Sequence, residues 1–406
     1  MKSYFYFFIF LIFISCNSEK KNIVQKLEKG SYKGILHIQD NEQIPFNFDV
    51  NNEKEFTVFN DTEAIKVTEI SYKNDSIKIQ LPYFEGYITA KIKKDGLEGI
   101  FIKKNVDRVV PFSAIKNKPR FETTAKPLVN IEGSWETVFS PNSEEDKYIA
   151  KGIFKQKGNK ITGTFRTTTG DYRFLEGVMN NDIVKLSTFD GAHAFLFTAK
   201  ATDSTLNGFF YSGNHWKESF VAKLNNEYEL PDAEKLTFLK KGYDKVSFSF
   251  PDDKGNLVSL EDEKFKNKVT VLQIMGTWCP NCLDESKYYA EVYNKYESKG
   301  VEFVALAFEV AKTQEEAFEL INRLKDQVKI PYTVLLAQVA SASKISAQQK
   351  LPMLNHILSY PTTIIIDKKG KVRKIHTGFN GPATGKEYEN FKTNFESFLD
   401  ELVMEE

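Results

Sequence analysis

The feature that most constrains this chain is the segment Trp278-Cys279-Pro280-Asn281-Cys282, a Cys-x-x-Cys that follows a strongly apolar stretch. That stretch, Val269–Met275, is nearly all apolar, which is typical of a buried strand in a parallel sheet. Helical spacing begins at Asn281 and continues to about Lys299. The two cysteines therefore lie where a buried strand ends and a helix begins.

A Cys pair at this position predicts thiol chemistry. The unpaired N–H groups and the positive dipole end of a helix N-terminus stabilise a thiolate, which makes Cys279 the predicted nucleophile. Cys282 lies one turn further into the helix and is expected to be more buried, so it can attack a mixed disulfide and release the partner. Pro280 suits the first helical turn because its missing N–H would have no partner there.

Two other uses of a Cys-x-x-Cys fit less well. Half of a zinc site would need two further ligands, but the chain has only three Cys, and His356 and His376 have no ligand-like neighbours. An inert structural disulfide is a poor use of so short a link, because it closes almost no loop. We therefore predict no metal and no cofactor, since the redox pair is built from side chains.

Alternating strands and helices continue to the end of the chain and predict an α/β domain over residues 236–406. Val301–Phe308 and Thr362–Ile366 are predicted strands, and Gln314 to about Val328 is a predicted helix. The remaining elements are a hairpin strand over Val372–His376 and a last helix from Lys386 to Val403, with a core stripe of Tyr388, Phe391, Phe395, Phe398 and Leu402.

About thirty residues from Tyr332 to Ser359 expand the region between the second helix and the third strand. They include a stretch with helical spacing, Ser341–Leu354. An expansion at this place would lie beside the cysteines and could set the choice of partner.

Together these stretches resemble the thioredoxin-fold disulfide reductases of the TlpA/ResA type, which are exported or membrane-tethered. The resemblance covers about residues 245–406. It rests on Phe250-Pro251-Asp252-Asp253-Lys254-Gly255, on Val269–Cys282, on Tyr360-Pro361-Thr362, and on the closing hairpin and helix. The resemblance implies a thioredoxin-like fold and a thiol-disulfide oxidoreductase activity.

The resemblance also implies roles for the residues around the cysteines. Pro361 would follow a cis peptide bond that turns the main chain of Tyr360 toward Cys279, where it offers hydrogen bonds to a partner chain. Trp278 and Pro280 would position the substrate with it. An ordinary trans proline at the start of a strand is the alternative.

Glu285 follows Cys282 by three residues and so lies on the same helix face. The resemblance implies that such a Glu tunes the cysteine acidities and accepts a proton during resolution. Plain thioredoxins have a buried Asp where this chain has Gln273, which cannot act as a base. Glu309 is a weaker candidate for the same polar pocket, and a solvated helix charge is the alternative for Glu285.

Two β-rich repeats precede the α/β domain, over residues 30–118 and 131–225. Gly30-Ser31-Tyr32 recurs as Gly133-Ser134-Trp135, and a Phe-acidic-Gly motif occurs in both. Period-two alternation and turn signals predict two antiparallel all-β modules, as meander sheets or small barrels. Their aromatic side chains are core residues or line a binding groove, and their histidines, His37, His193 and His215, have no metal-like spacing.

The N-terminus predicts export. The unbroken apolar run Tyr4–Ile14 is shorter than the ~20 residues that a transmembrane helix needs, so residues 1–15 are a predicted signal peptide. A small residue before Cys16 resembles the bacterial lipoprotein signal, which implies lipidation of Cys16 and a tether over residues 16–29. The lipoprotein box is imperfect, so plain cleavage and a retained short anchor stay open.

The sequence as a whole predicts an exported, lipid-anchored thiol-disulfide oxidoreductase that reduces protein disulfides, facing the periplasm or the cell surface. Its electrons would come from a membrane thiol donor. The 55 basic and 55 acidic residues form no long basic block, which sets nucleic acid aside as a partner. A surface binding protein built on the β repeats is the alternative. A thiol peroxidase is less well supported, because the motif lacks a Thr or Ser three residues before the Cys and the Pro that precedes such a site.

Overall fold

The computed structural model describes residues 24–405. The predicted signal peptide and the predicted lipidation site, Cys16, lie outside the described residues. No helix within the described part of the chain is long and apolar enough to span a membrane.

The first module is one antiparallel sheet of nine strands in the order β4-β3-β2-β1-β9-β8-β7-β6-β5. Its strands are β1 (Gly30–His37), β2 (Gln43–Asn52), β3 (Glu55–Asn60), β4 (Glu63–Val67), β5 (Glu69–Lys73), β6 (Ser76–Gln80), β7 (Gly86–Lys93), β8 (Gly96–Lys103) and β9 (Arg108–Lys116). Along β7 every second side chain is buried, as the period-two pattern predicts. β4 and β5 remain the two edges, so this sheet stays open.

The second module also has nine strands, but it closes into a barrel. Its strands are β10 (Gly133–Phe139), β11 (Tyr148–Lys157), β12 (Lys160–Thr167), β13 (Gly170–Asp171), β14 (Leu175–Asn180), β15 (Ile183–Phe189), β16 (Ala194–Ala201), β17 (Thr205–Ser212) and β18 (Trp216–Leu224). β11 pairs with both β10 and β12, which completes the ring. The two-residue β13 folds back on β12 and forms a hairpin with it.

The third domain has the predicted mixed α/β order. Its elements are β19 (Ser249–Pro251), β20 (Leu257–Ser259), β21 (Val269–Met275), α1 (Pro280–Tyr296), β22 (Val301–Phe308), α2 (Gln314–Val328), β23 (Thr333–Gln338), α3 (Lys344–Lys350), β24 (Thr362–Ile366), β25 (Val372–Thr377) and α4 (Lys386–Met404). The main sheet has the order β23-β22-β21-β24-β25. β21 to β23 are parallel and β24 and β25 are antiparallel to them.

Two predictions about this domain need correction. Thr333–Gln338 is an edge strand of the sheet and not part of an insertion, and the helix predicted over Ser341–Leu354 spans only Lys344–Lys350. A short apolar run cannot be assigned to strand or helix from periodicity alone. In α4 the buried positions are Phe395, Leu399 and Leu402, and Phe391 and Phe398 of the predicted stripe are partly buried against the same core.

The described part of the predicted tether, residues 24–29, and the segment between the two modules both pack against the β modules. Leu27 is buried in the core of the first module, and the N–H of Gln25 donates to the carbonyl of Asn74 at 2.8 Å. In the segment between the modules, the Arg120 guanidinium is buried and donates to the carbonyl of Phe59 and the hydroxyl of Ser187, both at 3.0 Å. The contacts of Arg120 join the first module to the second.

The repeated Phe-acidic-Gly motifs meet in space next to the third domain. A Cβ on Gly86 would overlap the carbonyl oxygen of Gly191, so the two motifs pack main chain against main chain. Phe84 and Ala192, beside these glycines, belong to the same apolar cluster as the cysteine pair. The β modules therefore pack directly against the domain that carries the chemistry.

Candidate active site

The cysteine pair lies at the start of α1. Cys279 is the N-cap residue, and its Sγ accepts a hydrogen bond from the N–H of Cys282 at 3.2 Å. The two cysteines form a disulfide, with their Cα atoms 5.2 Å apart. Cys282 is completely buried and Cys279 is 6% exposed, so Cys279 is the more accessible sulfur. Pro280 is the first residue of the helix, where no N–H is needed.

The residues predicted to position a substrate surround Cys279. The Tyr360–Pro361 peptide bond is cis, as the resemblance implied. The carbonyl oxygen of Tyr360 lies 3.4 Å from Cys279 Sγ. The indole N–H of Trp278 donates to the carbonyl of Phe308 at 2.9 Å, and its ring packs edge-on against the ring of Tyr360 with centroids 5.4 Å apart.

Glu285 is completely buried on α1, which corrects the alternative of a solvated helix charge. Its carboxylate accepts hydrogen bonds from Gln273 Nε2 at 2.8 Å, from the Tyr289 hydroxyl at 3.1 Å and from the Thr363 hydroxyl at 2.9 Å. Burial raises the pKa of Glu285 to about 7, against the opposing effect of these three donors. Gln273 therefore orients the carboxyl group of Glu285 through a hydrogen bond and does not itself act as the base.

Glu309 is a second buried acid, but it lies in a different setting from Glu285. Its carboxylate accepts hydrogen bonds from the N–H and the hydroxyl of Thr277, at 2.8 and 2.6 Å. Burial raises the pKa of Glu309 to about 7 as well. Because Thr277 precedes Trp278, Glu309 ties the loop before the cysteines to the end of β22, and it does not share the hydrogen-bond network of Glu285.

Sequence reasoning missed the residues that the β modules bring to the site. Arg173 of the barrel is buried and forms ion pairs with Glu63 at 2.6 Å, with Asp190 at 3.4 Å, and with Asp284 on α1. Only six of the 55 basic residues are Arg. Arg is favoured over Lys for buried ion pairs. In a chain with so few Arg residues, each Arg is therefore a candidate for a buried ion pair, and this was the one signal that the sequence offered for Arg173.

The histidines take no part in a metal cluster. Among residues 24–405, no group of three His, Cys, Asp or Glu side chains is arranged to hold a metal ion. His193 contacts the carboxylate of Asp190 at 3.1 Å. Burial lowers the pKa of His376, on β25, to about 4, so this ring is neutral at pH 7.

Comparison with known proteins places this site in a family. The Redoxin family model matches residues 230–391. The chain is 32% identical over 143 residues to thiol-disulfide oxidoreductase ResA of Bacillus subtilis (strain 168), which covers 34% of this chain and 69% of that protein. It is 30% identical over 141 residues to ResA of Bacillus thuringiensis (strain Al Hakam), covering 35% and 70%. For ResA of Bacillus cereus (strain ATCC 10987 / NRS 248) the match spans 66% of the relative's length, slightly under two thirds.

Among solved structures, the chain is similar to a putative thiol:disulfide interchange protein DsbE from Chlorobium tepidum. The TM-score is 0.31 at 23% identity, and the match covers 40% of this chain and 99% of that one. The Redoxin match covers the domain that holds Cys279 and Cys282. The similarity to the Bacillus proteins confirms the resemblance found in the sequence. The chain belongs to the ResA family of thiol-disulfide oxidoreductases.

Proposed function

We propose that this protein reduces disulfides in exported proteins, with Cys279 as the nucleophile and Cys282 as the resolving thiol. One observation carries the proposal: Cys279 Sγ lies at the N-cap of α1, 3.2 Å from the N–H of Cys282, while Cys282 itself is completely buried. The helix N-terminus favours the thiolate of the reduced Cys279. The accessible sulfur therefore attacks first and the buried sulfur attacks second.

The reaction balances as two thiol-disulfide exchanges. The Cys279 thiolate attacks one sulfur of the substrate disulfide, forms a mixed disulfide and expels the other sulfur as a thiolate, which takes up a proton. Cys282 then loses its proton and attacks Cys279 Sγ, which breaks the mixed disulfide and releases the second substrate thiol. Two electrons pass to the substrate, and the enzyme is left with the Cys279–Cys282 disulfide. A donor dithiol must reduce this disulfide before the next turnover.

Glu285 is the proposed acceptor for the proton of Cys282. It lies one turn further along the same helix face and has a pKa of about 7. An acid with this pKa is partly ionised near neutral pH, which suits a group that must take up and return a proton. Its three hydrogen-bond donors, Gln273, Tyr289 and Thr363, keep the carboxylate in place.

The loop before β24 is the proposed contact for the substrate main chain. The carbonyl of Tyr360 faces Cys279 at 3.4 Å, so a substrate segment that reaches this sulfur also passes the main chain of Tyr360 and Pro361. Trp278 and Pro280 complete this surface on either side of Cys279. Hydrogen bonds to the main chain serve many substrate sequences equally, which suits an enzyme that acts on several proteins.

We further propose that the protein is anchored by lipid on Cys16, on a bacterial membrane facing the periplasm or the cell surface. The apolar run before Cys16 and its short length support this placement. A membrane protein with a reactive dithiol would then be the electron donor, because no soluble cofactor takes part in the exchange.

The test is the redox behaviour of the purified protein. Equilibration in dithiothreitol or glutathione buffers should give a reduction potential near the roughly −270 mV of thioredoxin. A value near the roughly −120 mV of strong oxidants would contradict the proposed direction. A Cys282→Ser variant should accumulate a mixed disulfide between Cys279 and the substrate, whereas Cys279→Ser should form none.

A further inference from the structure

A cleft of about 780 Å³ lies between part of the barrel and the third domain, and Asn281 of the Cys-x-x-Cys motif is among its lining residues. Asn281, between the two cysteines, lines it together with Leu358 of the loop before Pro361. The opposite wall belongs to the barrel. This volume lies within the roughly 300–1,000 Å³ that is usual for sites that bind a ligand. The cleft therefore connects the β modules to the reacting residues.

The hairpin of β12 and β13, residues 167–171, fixes the barrel wall against the active-site loops. The Ser359 hydroxyl donates to the carbonyl of Thr169 at 2.8 Å, and the N–H of Gly381 donates to the Asp171 carboxylate at 2.6 Å. Gly170 lies so close to Asn281 that a Cβ on the glycine would overlap the amide of Asn281. The hairpin therefore contacts the cysteine motif and the loop of the cis proline together.

A buried ion cluster keeps the hairpin in this place. Arg173, two residues after the hairpin, pairs with Asp284 on α1 and with Glu63 of the first module. Charges this deeply buried are stable only when paired, so their partners must stay together. The cleft is thus a fixed part of the folded chain.

The lining combines aromatic rings with carboxylates. The aromatic members are Tyr148, Tyr172, Phe195 and Trp216. Four carboxylates, Glu145, Asp146, Asp171 and Glu218, and two lysines, Lys147 and Lys344, also line the cleft. Glu218 is buried and accepts hydrogen bonds from the hydroxyls of Ser140 and Tyr148. It forms no ion pair within residues 24–405. Aromatic faces beside carboxylates attract aromatic and cationic side chains.

The cleft also contains a buried acceptor without a partner. The side-chain Oδ1 of Asn281 makes no hydrogen bond within residues 24–405. Buried polar atoms are nearly always hydrogen-bonded, so an unpaired acceptor on a residue that lines a cleft needs an explanation. Rotation of the Asn281 amide toward the cleft would let this oxygen accept a hydrogen bond from an N–H of a bound chain.

We propose that this cleft binds the extended polypeptide segment beside the disulfide of a protein substrate, and that it prefers segments with aromatic and basic side chains. The inference rests on the proposed function, since it names the substrate class of the same site. It gives the barrel a direct part in substrate choice. Cys279 and Cys282 carry out the thiol-disulfide exchange, and the cleft binds the residues that flank the substrate disulfide.

The test compares two peptides of equal length that contain a disulfide. One carries Trp, Lys and Arg beside its cysteines and the other carries Ser and Glu, and hydroxyethyl disulfide serves as a substrate too small to fill the cleft. The wild-type protein should have a lower KM for the basic aromatic peptide. Trp216→Ala should raise this KM roughly five- to tenfold, as expected for loss of an aromatic contact, and leave turnover of hydroxyethyl disulfide unchanged.

Phe209→Ala is the matched control. Phe209 and Trp216 are both 43% exposed aromatic residues of the barrel, but Phe209 lies outside the cleft. Its replacement should leave all three substrates unaffected. Replacing the exposed Glu145 and Asp146 by Lys should abolish the preference for the basic peptide.

Equal KM values for the two peptides, or equal effects of Trp216→Ala and Phe209→Ala, would overturn the inference while leaving the proposed function intact. Failure of the reduced wild-type protein to act on hydroxyethyl disulfide would overturn the proposed function itself, and the inference with it. The two failures are therefore distinguishable.

Discussion

The guanidinium of Arg173, on the β barrel, pairs with the carboxylate of Asp284, two residues after Cys282 on α1. Both side chains are buried, with exposed fractions of 4% and 6%. The same guanidinium reaches Glu63 of the first module. One cation thus connects all three domains within one helical turn of the redox pair.

Replacing Arg173 by Met should destabilise the protein strongly, because it leaves buried carboxylates without a counter-charge. We expect a loss of about 3–5 kcal/mol in the free energy of unfolding, measured with urea. Arg323→Met is the control, since its pair with Glu69 is partly exposed and should contribute about 0–1 kcal/mol. Equal losses for the two variants would contradict a special role for the buried cluster.

Replacing Gly170 by Ala should displace the hairpin from the cysteine motif. Gly170 has a φ of +148°, and a Cβ would overlap the amide of Asn281. We expect faster alkylation of the reduced Cys279 in this variant, as measured by mass spectrometry over time. Gly158→Ala is the control, because this barrel glycine also has a positive φ, of +58°, but has open space around it. An unchanged alkylation rate in Gly170→Ala would count against the docking of the hairpin.

Replacing Glu285 by Gln should remove a pH-dependent step from the second exchange. The pKa of Glu285 is about 7, so its ionised, proton-accepting form becomes dominant as the pH rises through 7. In the wild type the resolution rate should rise with a midpoint near this pH. In Glu285→Gln we expect a rate about 100-fold lower at pH 8, without that midpoint. Stopped-flow measurement from pH 5.5 to 8.5 checks this, and Glu309→Gln should keep the wild-type midpoint.

Glu309 should make the folded protein less stable at neutral pH than at pH 4.5. Its pKa is about 7 in the folded state and 4.5 as the reference value, so between these pH values the folded state holds a proton that the unfolded chain releases. Stability contributed in this way is present below pH 4.5 and is lost as the pH rises toward 7.

We therefore compare the free energy of unfolding of Glu309→Gln with that of the wild type at two pH values. The difference should favour the variant by about 3 kcal/mol more at pH 8 than at pH 4.5, at roughly 1.4 kcal/mol per pKa unit. Urea unfolding at the two pH values measures the difference. The exposed Glu291→Gln serves as the control and should change stability by under about 0.5 kcal/mol at either pH. The same effect of Glu309→Gln at both pH values would contradict the prediction.

The sequence by itself determined the local parts of this protein. The apolar run Val269–Met275 and the Cys-x-x-Cys after it were enough to predict β21, the start of α1 and the greater burial of Cys282. Period-two alternation likewise predicted the antiparallel strands of both modules. Such features depend on neighbours a few residues apart, and hydrophobic periodicity reports those directly.

Only the tertiary structure decided which distant residues meet at the site. Nothing in the sequence around Arg173 indicates that it lies against Asp284, and the pattern of the repeats did not reveal that the second closes into a barrel and the first does not. The partners of Glu285 on β21 and β24 became visible in the same way. Burial brings these side chains together from separate strands, helices and modules. The free energy of such contacts depends on the packing of the whole chain, so the contacts produce no periodic pattern in the sequence from which they could be predicted.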